Sequence, residues 1–216
     1  MKTVTKKLAP RPAPRRARLD VDERRAQLIA LGLAAFAEQP YDDVSIDVLA
    51  RKAGISKGLL YHYFPTKRDF YVAALDSASR QLLEQTFIGP EVPIAERLSR
   101  GLEAYLDFVV RHGPAFVALM RGGVGTDPQV AEIVERTRRT IASRVLETVP
   151  RELVTPMLRM AVRGWIGFVE ATVVEWVARR GVPRRRLTEL LSTVLVSAVQ
   201  SAAGQALLAS ALPSSR

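Results

Sequence analysis

The stretch from Ser45 to Lys67 reads SIDVLARKAGISKGLLYHYFPTK: two short helical patterns separated by Ala53-Gly54-Ile55 and closed by Pro65. Ser45 stands where its hydroxyl can cap a helix, and Ile46, Leu49, Ala50 and Ala53 then recur at helical spacing toward a core. Gly54 is the stop signal, free to adopt the left-handed conformation. Ser56 offers a second cap, and Leu60 with Phe64, four residues apart, gives the next helix its buried edge. Pro65 ends that helix, because it disfavours helical geometry at Phe64. Two short helices about a glycine turn read as a helix-turn-helix, and its expected partner is double-stranded DNA.

With Leu60 and Phe64 facing inward, Gly58 and His62 point almost opposite, and Lys57 and Tyr61 lie on the flanks near the helix start. A helix fits the major groove of B-DNA, and its first turn carries the side chains that reach base edges or phosphates. Lys57 suits guanine acceptors or a phosphate, Tyr61 can donate its hydroxyl to a phosphate, and His62 can do either. Gly58 lets the backbone approach closely.

This segment, with the helices on either side of it, resembles the N-terminal domain of the tetracycline-repressor (TetR) family of bacterial transcriptional regulators. Phe36-Ala37-Glu38, Tyr41, Ser56-Lys57-Gly58, Leu60-Tyr61, Phe64 and Lys67 carry the resemblance, in the family's order. The resemblance implies DNA contacts for Ser45, Lys57, Gly58, Tyr61, His62 and Lys67, with Leu60 and Phe64 structural. Ser56 and Leu59 complete the expected DNA-facing set. Leu59 departs from the family, many members of which carry a small hydroxyl residue there; a thymine methyl is the partner that suits it.

Composition fits this class. The 216 residues are 48% hydrophobic and 25% charged, enough for one large domain or two unequal ones with a real core. The absence of cysteine excludes disulfides and thiolate metal sites, and two histidines, His62 and His112, are too few for a histidine cluster. Neither a metal nor another cofactor is expected. No apolar run spans a membrane or follows the basic N-terminus as a signal peptide would, so a cytoplasmic protein is expected.

The formal net charge of +10 is unevenly spread: residues 1–19 hold seven basic residues and no acid, whereas residues 20–70 hold seven basic and eight acidic ones. DNA affinity must then come from placement, with Lys57, Lys67 and Arg68 near the groove and acids such as Asp42, Asp43 and Asp47 turned away or capping helix starts. Residues 1–19, with Pro10, Pro12 and Pro14 amid the basic side chains, have too little apolar content to fold alone and read as a disordered basic arm. That arm either lies along phosphates or the minor groove, or is a solvated leader.

The organisation is all α. A helix from about Asp20, with Glu23 reaching back to the cap, buries Ile29, Leu33, Phe36 and Ala37 and braces the two helices after it. This makes a three-helix DNA-binding head over residues 20–65. Thr66 with Asp69 caps a long connecting helix through Phe70, Ala73 and Ala74 to Leu82 or Leu83, the first of a larger helical regulatory and dimerisation body over residues 66–216. By resemblance, its tilt is what a ligand changes. Further helices are expected at Pro93 to Arg111, Pro114 to Arg121, Pro128 to Thr148, about Arg151 to Arg180 and Arg184 to Leu212.

The last two helices carry long apolar stripes: Leu158, Val162, Trp165, Ile166, Val169, Val173, Trp176 and Val177 on one, and Leu187, Leu190, Leu191, Val194, Leu195, Ala198 and Ala202 on the other. They suit a four-helix bundle across a twofold axis, hence a homodimer, or the ordinary core of one chain. By resemblance, the family dimerises through the equivalent helices. A small-molecule effector is also expected, with Tyr105, Phe108, Phe116, Met120, Arg121, Trp165, Phe168 and Glu170 as candidate contacts and an apolar or amphipathic compound, such as a fatty acid or its thioester, as the type. Glu170, set in an apolar run, is either buried against Arg121 or Arg163 or lies with Glu175 on a solvent strip.

A hydrolase built on Ser56, His62 and Asp69 fails on chemistry. Ser56 and His62 lie on opposite halves of one short helix, and no acid is placed to orient His62. A nonspecific nucleoid-type protein acting through the basic arm remains as the alternative; it has no need of the Lys57-Gly58 and Tyr61-His62 pattern. The resemblance implies a repressor that binds a palindromic operator as a dimer and releases it on binding ligand.

Overall fold

A computed structural model describes residues 21–39, 41–123, 127–179 and 181–211; the basic arm and the cap expected at Asp20 lie outside them. Among these residues the chain is helical, with no strand: α1 (Val21–Glu38), α2 (Ile46–Lys52), α3 (Lys57–Tyr63), α4 (Lys67–Gln85), α5 (Ile94–Arg111), α6 (Gly113–Ala118), α7 (Pro128–Leu146), α8 (Pro156–Arg179) and α9 (Arg184–Ala211). No helix among them is long and apolar enough to cross a membrane.

The first three helices close over Leu28, Leu49, Leu60, Phe64 and Phe70, each no more than 2% exposed. Gly32 is required there, because a Cβ on it would stand 2.5 Å from Cζ of Phe70. Leu33, expected wholly inside this core, is instead half-buried and touches the body core as well. Phe36, Tyr41 and Tyr71 pack ring against ring, with centroids 5.0 to 6.1 Å apart. Thr66 and Asp69 form the reciprocal capping box that starts α4.

The body core joins α4, α5, α8 and α9 around Leu106, Leu158, Val162, Val173 and Leu191. The indole of Trp165 donates to Leu191 O at 2.8 Å, crossing from α8 to α9. Most of the two stripes offered above as a subunit interface is therefore spent inside one chain: Leu158, Val162, Trp165, Ile166, Val169, Val173, Leu187, Leu191, Leu195 and Ala202 are buried. Left exposed are Met157, Met160 and Phe168 on α8, none of them in the stripe, and Leu190 of the α9 stripe. The stripes were wide enough to serve either role, and antiparallel pairing of α8 with α9 took their centres.

Helix bounds differ from expectation by one or two residues at the starts of α5 and α6 and the end of α7, and by more in two places. The helix expected from about Arg151 begins at Pro156 after a separate 3-10 turn at Arg151–Leu153, since proline pushes Thr155 out of helical geometry. Thr155 then caps the new start by accepting from Leu158 N at 3.2 Å. The helix expected to run from Pro114 to Arg121 is α-helical only as far as Ala118, and Leu119–Gly123 continue as a π turn. Leu212 and Arg180, expected as helix ends, lie outside the described residues.

Candidate nucleic-acid interface and ligand cavity

The turn between α2 and α3 is built by one glycine. Gly54 has φ 67°, and two bonds, Gly54 N to Arg51 O and Ile55 N to Ala50 O at 3.0 Å each, close the end of α2 in a Schellman motif. Each helix starts on a serine cap: Ser45 Oγ accepts from Val48 N at 3.4 Å and Ser56 Oγ from Leu59 N at 3.1 Å. Both hydroxyl protons stay available to a phosphate. Leu60 and Phe64 are sunk in the core, so Lys57, Gly58, Leu59 and His62 are exposed on one side of α3, with Tyr61 half-buried beside them.

The expected cations are less free than their positions suggested. Lys57 Nζ lies 2.9 Å from Asp47 Oδ2 on α2, and this bond raises its pKa. Asp47, expected to be turned away or at a helix start, is in the first turn of α2 with its carboxylate on the reading side. Lys67 Nζ donates to Asp42 O at 3.0 Å and lies 4.7 Å from the centre of the Tyr41 ring, which pins the 3-10 turn Tyr41–Asp43 against α4. Arg68, expected near the groove, turns instead to the body, bidentate on Asp127. Arg51 and Lys52, at the end of α2, are exposed basic side chains that the sequence reading had passed over. Ser56 and Asp69 are both committed to helix caps, and His62 packs edge-on to Tyr63.

The second feature is a cavity of about 800 Å³, partly open to solvent, lined by residues of α4 to α9 and mainly apolar. Tyr105, Phe108, Phe116, Met120, Trp165 and Glu170 line it. Arg121 and Phe168 do not: Arg121 is exposed on the π turn, and Phe168 is on the outward side of α8 at 37% exposure. Glu170 is not on a solvent strip, nor is it held by Arg121 or Arg163. Arg138 of α7 grips it with Nε to Oε1 at 2.9 Å and Nη2 to Oε2 at 2.7 Å, while Arg163 pairs with Glu135 and Glu175 with Arg179 on the surface. The bond to Glu170 raises the Arg138 pKa. Arg138 was legible only as the residue beside the buried Val134 and Thr137 and the half-buried Ile141, four from Val134 on the same helix.

Helix α4 joins the two features. It is capped immediately after α3, and farther along it supplies Leu75, Ala78, Ser79 and Leu82 to the cavity wall. Four ties bind it to α7: Arg68 to Asp127, Asp76 to Arg136, Ser79 to Thr137 at 2.5 Å, and Leu83 O to Arg144 at 2.6 Å. The partners rise together along both helices, so α4 and α7 run side by side in one direction. Among the described residues, no group of histidines and carboxylates could hold a metal ion.

Comparison with known proteins agrees with this arrangement. Residues 28–74 match the family model for bacterial regulatory proteins of the tetR family, and residues 94–198 match the tetracyclin repressor-like C-terminal domain. The chain is 33% identical to a tetR-family transcriptional regulator from Streptomyces coelicolor of known crystal structure, with a TM-score of 0.76 over 88% of this chain and 90% of that one. It is 30% identical over 142 residues to the HTH-type transcriptional activator FasR of Mycolicibacterium smegmatis, a match covering 62% of this chain and 63% of FasR. It is 33% identical over 107 residues to the transcriptional regulator AcuR of Cereibacter sphaeroides, covering 48% of this chain and 47% of AcuR. The matches thus span less than two thirds of the length of either of these two relatives.

Proposed function

Because the chain belongs to the tetR family of bacterial regulatory proteins, we propose that it is a cytoplasmic repressor that binds a palindromic operator as a homodimer and leaves it when a mainly apolar ligand fills the cavity. The observation that carries this reading is α4, which is at once the support of the DNA-facing helix and a wall of the cavity. A ligand that prefers one spacing of α4 and α7 biases the tilt of the head, and differential affinity for the two shapes is what releases DNA.

In this reading the head at residues 20–65 reads the operator through Ser45, Ser56, Lys57, Gly58, Leu59, Tyr61 and His62, joined by Lys67 from the start of α4, and the body at residues 66–216 senses and dimerises. The basic arm at residues 1–19 adds a salt-dependent phosphate contact. The dimer forms through the outward face of α8 and α9, where Met157, Met160, Phe168 and Leu190 are exposed and a Cβ at Gly164 would meet nothing within 4 Å. Two heads so paired reach half-sites about 34 to 36 Å apart.

Binding to the DNA upstream of its own gene, against a scrambled duplex at two salt concentrations, tests this. Preference for the upstream DNA, lost in Tyr61→Ala, is expected. Equal binding to both duplexes, indifferent to Tyr61 and collapsing with salt, favours nonspecific binding through the arm. Transcript levels in a deletion strain test the sign: a rise means repression, a fall means activation, the activity in FasR's name.

A further inference from the structure

Phe87 and Ile94 line the cavity and are nevertheless 57% and 58% exposed, so the cavity opens where α4 passes into α5. Two arginines of the lining stand at that mouth, both half-buried. Arg97, one turn after Ile94 on α5, donates through Nε to Val92 O at 2.7 Å and through Nη2 to Pro90 O at 2.5 Å. Arg144 of α7 donates through Nη1 to Leu83 O at 2.6 Å, and its guanidinium lies 5.2 Å from the centre of the Phe87 ring. Among the described residues their partners are thus neutral carbonyls and a ring face, not carboxylates. Such partners fix where each guanidinium stands, leave its charge uncancelled and do not use all of its five N–H groups.

The other charged side chains of the lining are Arg138, Glu147 and Glu170. Arg138 and Glu170 hold each other through two bonds and cancel. Glu147 is exposed and accepts from the Ser143 hydroxyl at 3.0 Å. Three guanidinium groups against two carboxylates leave the lining one positive charge in excess, and that excess stands at the mouth.

We infer that the cavity takes a single-chain amphiphile whose hydrocarbon chain lies along the apolar lining and whose anionic head group is held at the mouth by Arg97 and Arg144. This rests on the cavity being the effector site. Leu102, Phe108, Val134, Ile166 and Val169 give the chain an apolar bed. A carboxylate or phosphate takes charge-assisted bonds from a guanidinium, two at a time where the fork is open. At a mouth open to solvent the head group keeps part of its hydration, which a charge carried into the apolar depth would lose. An ammonium head is repelled there, and an uncharged head makes no use of the excess charge.

Isothermal titration calorimetry of the full chain with decanoate, decyl phosphate and decanol compares one chain length with and without charge, at neutral pH where decanoate is ionised. The parent should bind one of the two anions about tenfold more tightly than decanol, and the tighter anion names the head group. Arg97→Gln and Arg144→Gln should each lower that anion's affinity about tenfold and leave decanol's unchanged. Both arginines also tie the link between α4 and α5, and decanol controls for that role. Equal losses for anion and alcohol mean that the side chains only shape the mouth, which overturns the inference. So does a parent that binds decanol as tightly as either anion, or an anion affinity that neither substitution moves. Anion binding with the expected pattern but without release of the upstream DNA, followed by anisotropy, keeps the binding site and sinks the effector reading. Binding of none of the three probes sinks both.

Discussion

Arg68 in the first turn of α4 and Asp127 at the N-cap of α7 are joined by two bonds, Nε to Oδ2 at 2.5 Å and Nη2 to Oδ1 at 2.7 Å. The same Asp127 carboxylate accepts from Gln129 N at 2.9 Å and Val130 N at 3.3 Å, so one side chain both starts the cavity-lining helix and holds the helix that carries the DNA head. Hydrogen bonding from Arg68, above all, keeps the Asp127 pKa below its usual value. Arg68→Gln removes the clamp and leaves the α7 cap in place. Being exposed, the pair adds little to stability, so the unfolding temperature should hardly move. Ligand-induced release of operator, followed by fluorescence anisotropy, should weaken severalfold. Unchanged ligand coupling would show that the tie does not transmit.

Two glycines in the helix-turn-helix separate folding from DNA binding. Gly54 has positive φ, and Gly54→Ala should cost about 1–2 kcal/mol of stability. Gly58 is helical and its Cβ would meet nothing nearer than Ser56 Oγ at 3.9 Å, so Gly58→Ala should fold as the parent does. It should nonetheless bind operator at least tenfold more weakly if the DNA backbone approaches that position. Thermal melts and operator titrations on the same preparations distinguish the two.

Asp47→Asn releases Lys57 from its carboxylate and takes one negative charge off the reading side. Operator affinity should rise, and the slope of log affinity against log salt should steepen by about one if Lys57 then neutralises a phosphate. Lys57→Ala should lower affinity instead. A flat response to both substitutions places Lys57 away from the DNA.

Met160→Glu with Phe168→Glu puts two charges on the outward face of α8, where those residues are 70% and 37% exposed. The double variant should sediment as a monomer at concentrations where the parent is a dimer, and its affinity for a two-half-site operator should fall more than for a single half-site. An unchanged sedimentation coefficient moves the interface elsewhere.

His112 lies 4.4 Å from the Phe108 ring, and burial, followed by the Arg111 charge, keeps its pKa below the ordinary 6.5. Folded His112 therefore stays neutral where the unfolded chain takes up a proton, so stability is lost as pH falls below about 6.5 and is unaffected by this group above it. The drop in unfolding temperature between pH 7.5 and 5.5 should be smaller in His112→Gln than in the parent. An equal drop would leave the carboxylates as its source.

The helices and the head were legible along the chain because their signals are local. Serine caps, the Gly54 stop and the four-residue spacing of Leu60 and Phe64 act within one or two turns, and each reappears in the structure as a bond, a dihedral angle or a buried side chain. The aromatic residue and lysine at Tyr41 and Lys67 were readable as part of a pattern, and only folding showed that they touch each other. Tertiary structure alone decided which partner each charge takes. Glu170 chose Arg138, 32 residues away, over Arg163 on its own helix, and Arg68 chose Asp127, 59 residues away, over the groove. It also decided which side of α8 faces the core, because an apolar helix of 24 residues offers more than one face that could be covered. Helix starts and stops depend on near neighbours that any one sequence displays, whereas charge pairing and face selection depend on which helices lie alongside, and that exists only once the chain has packed.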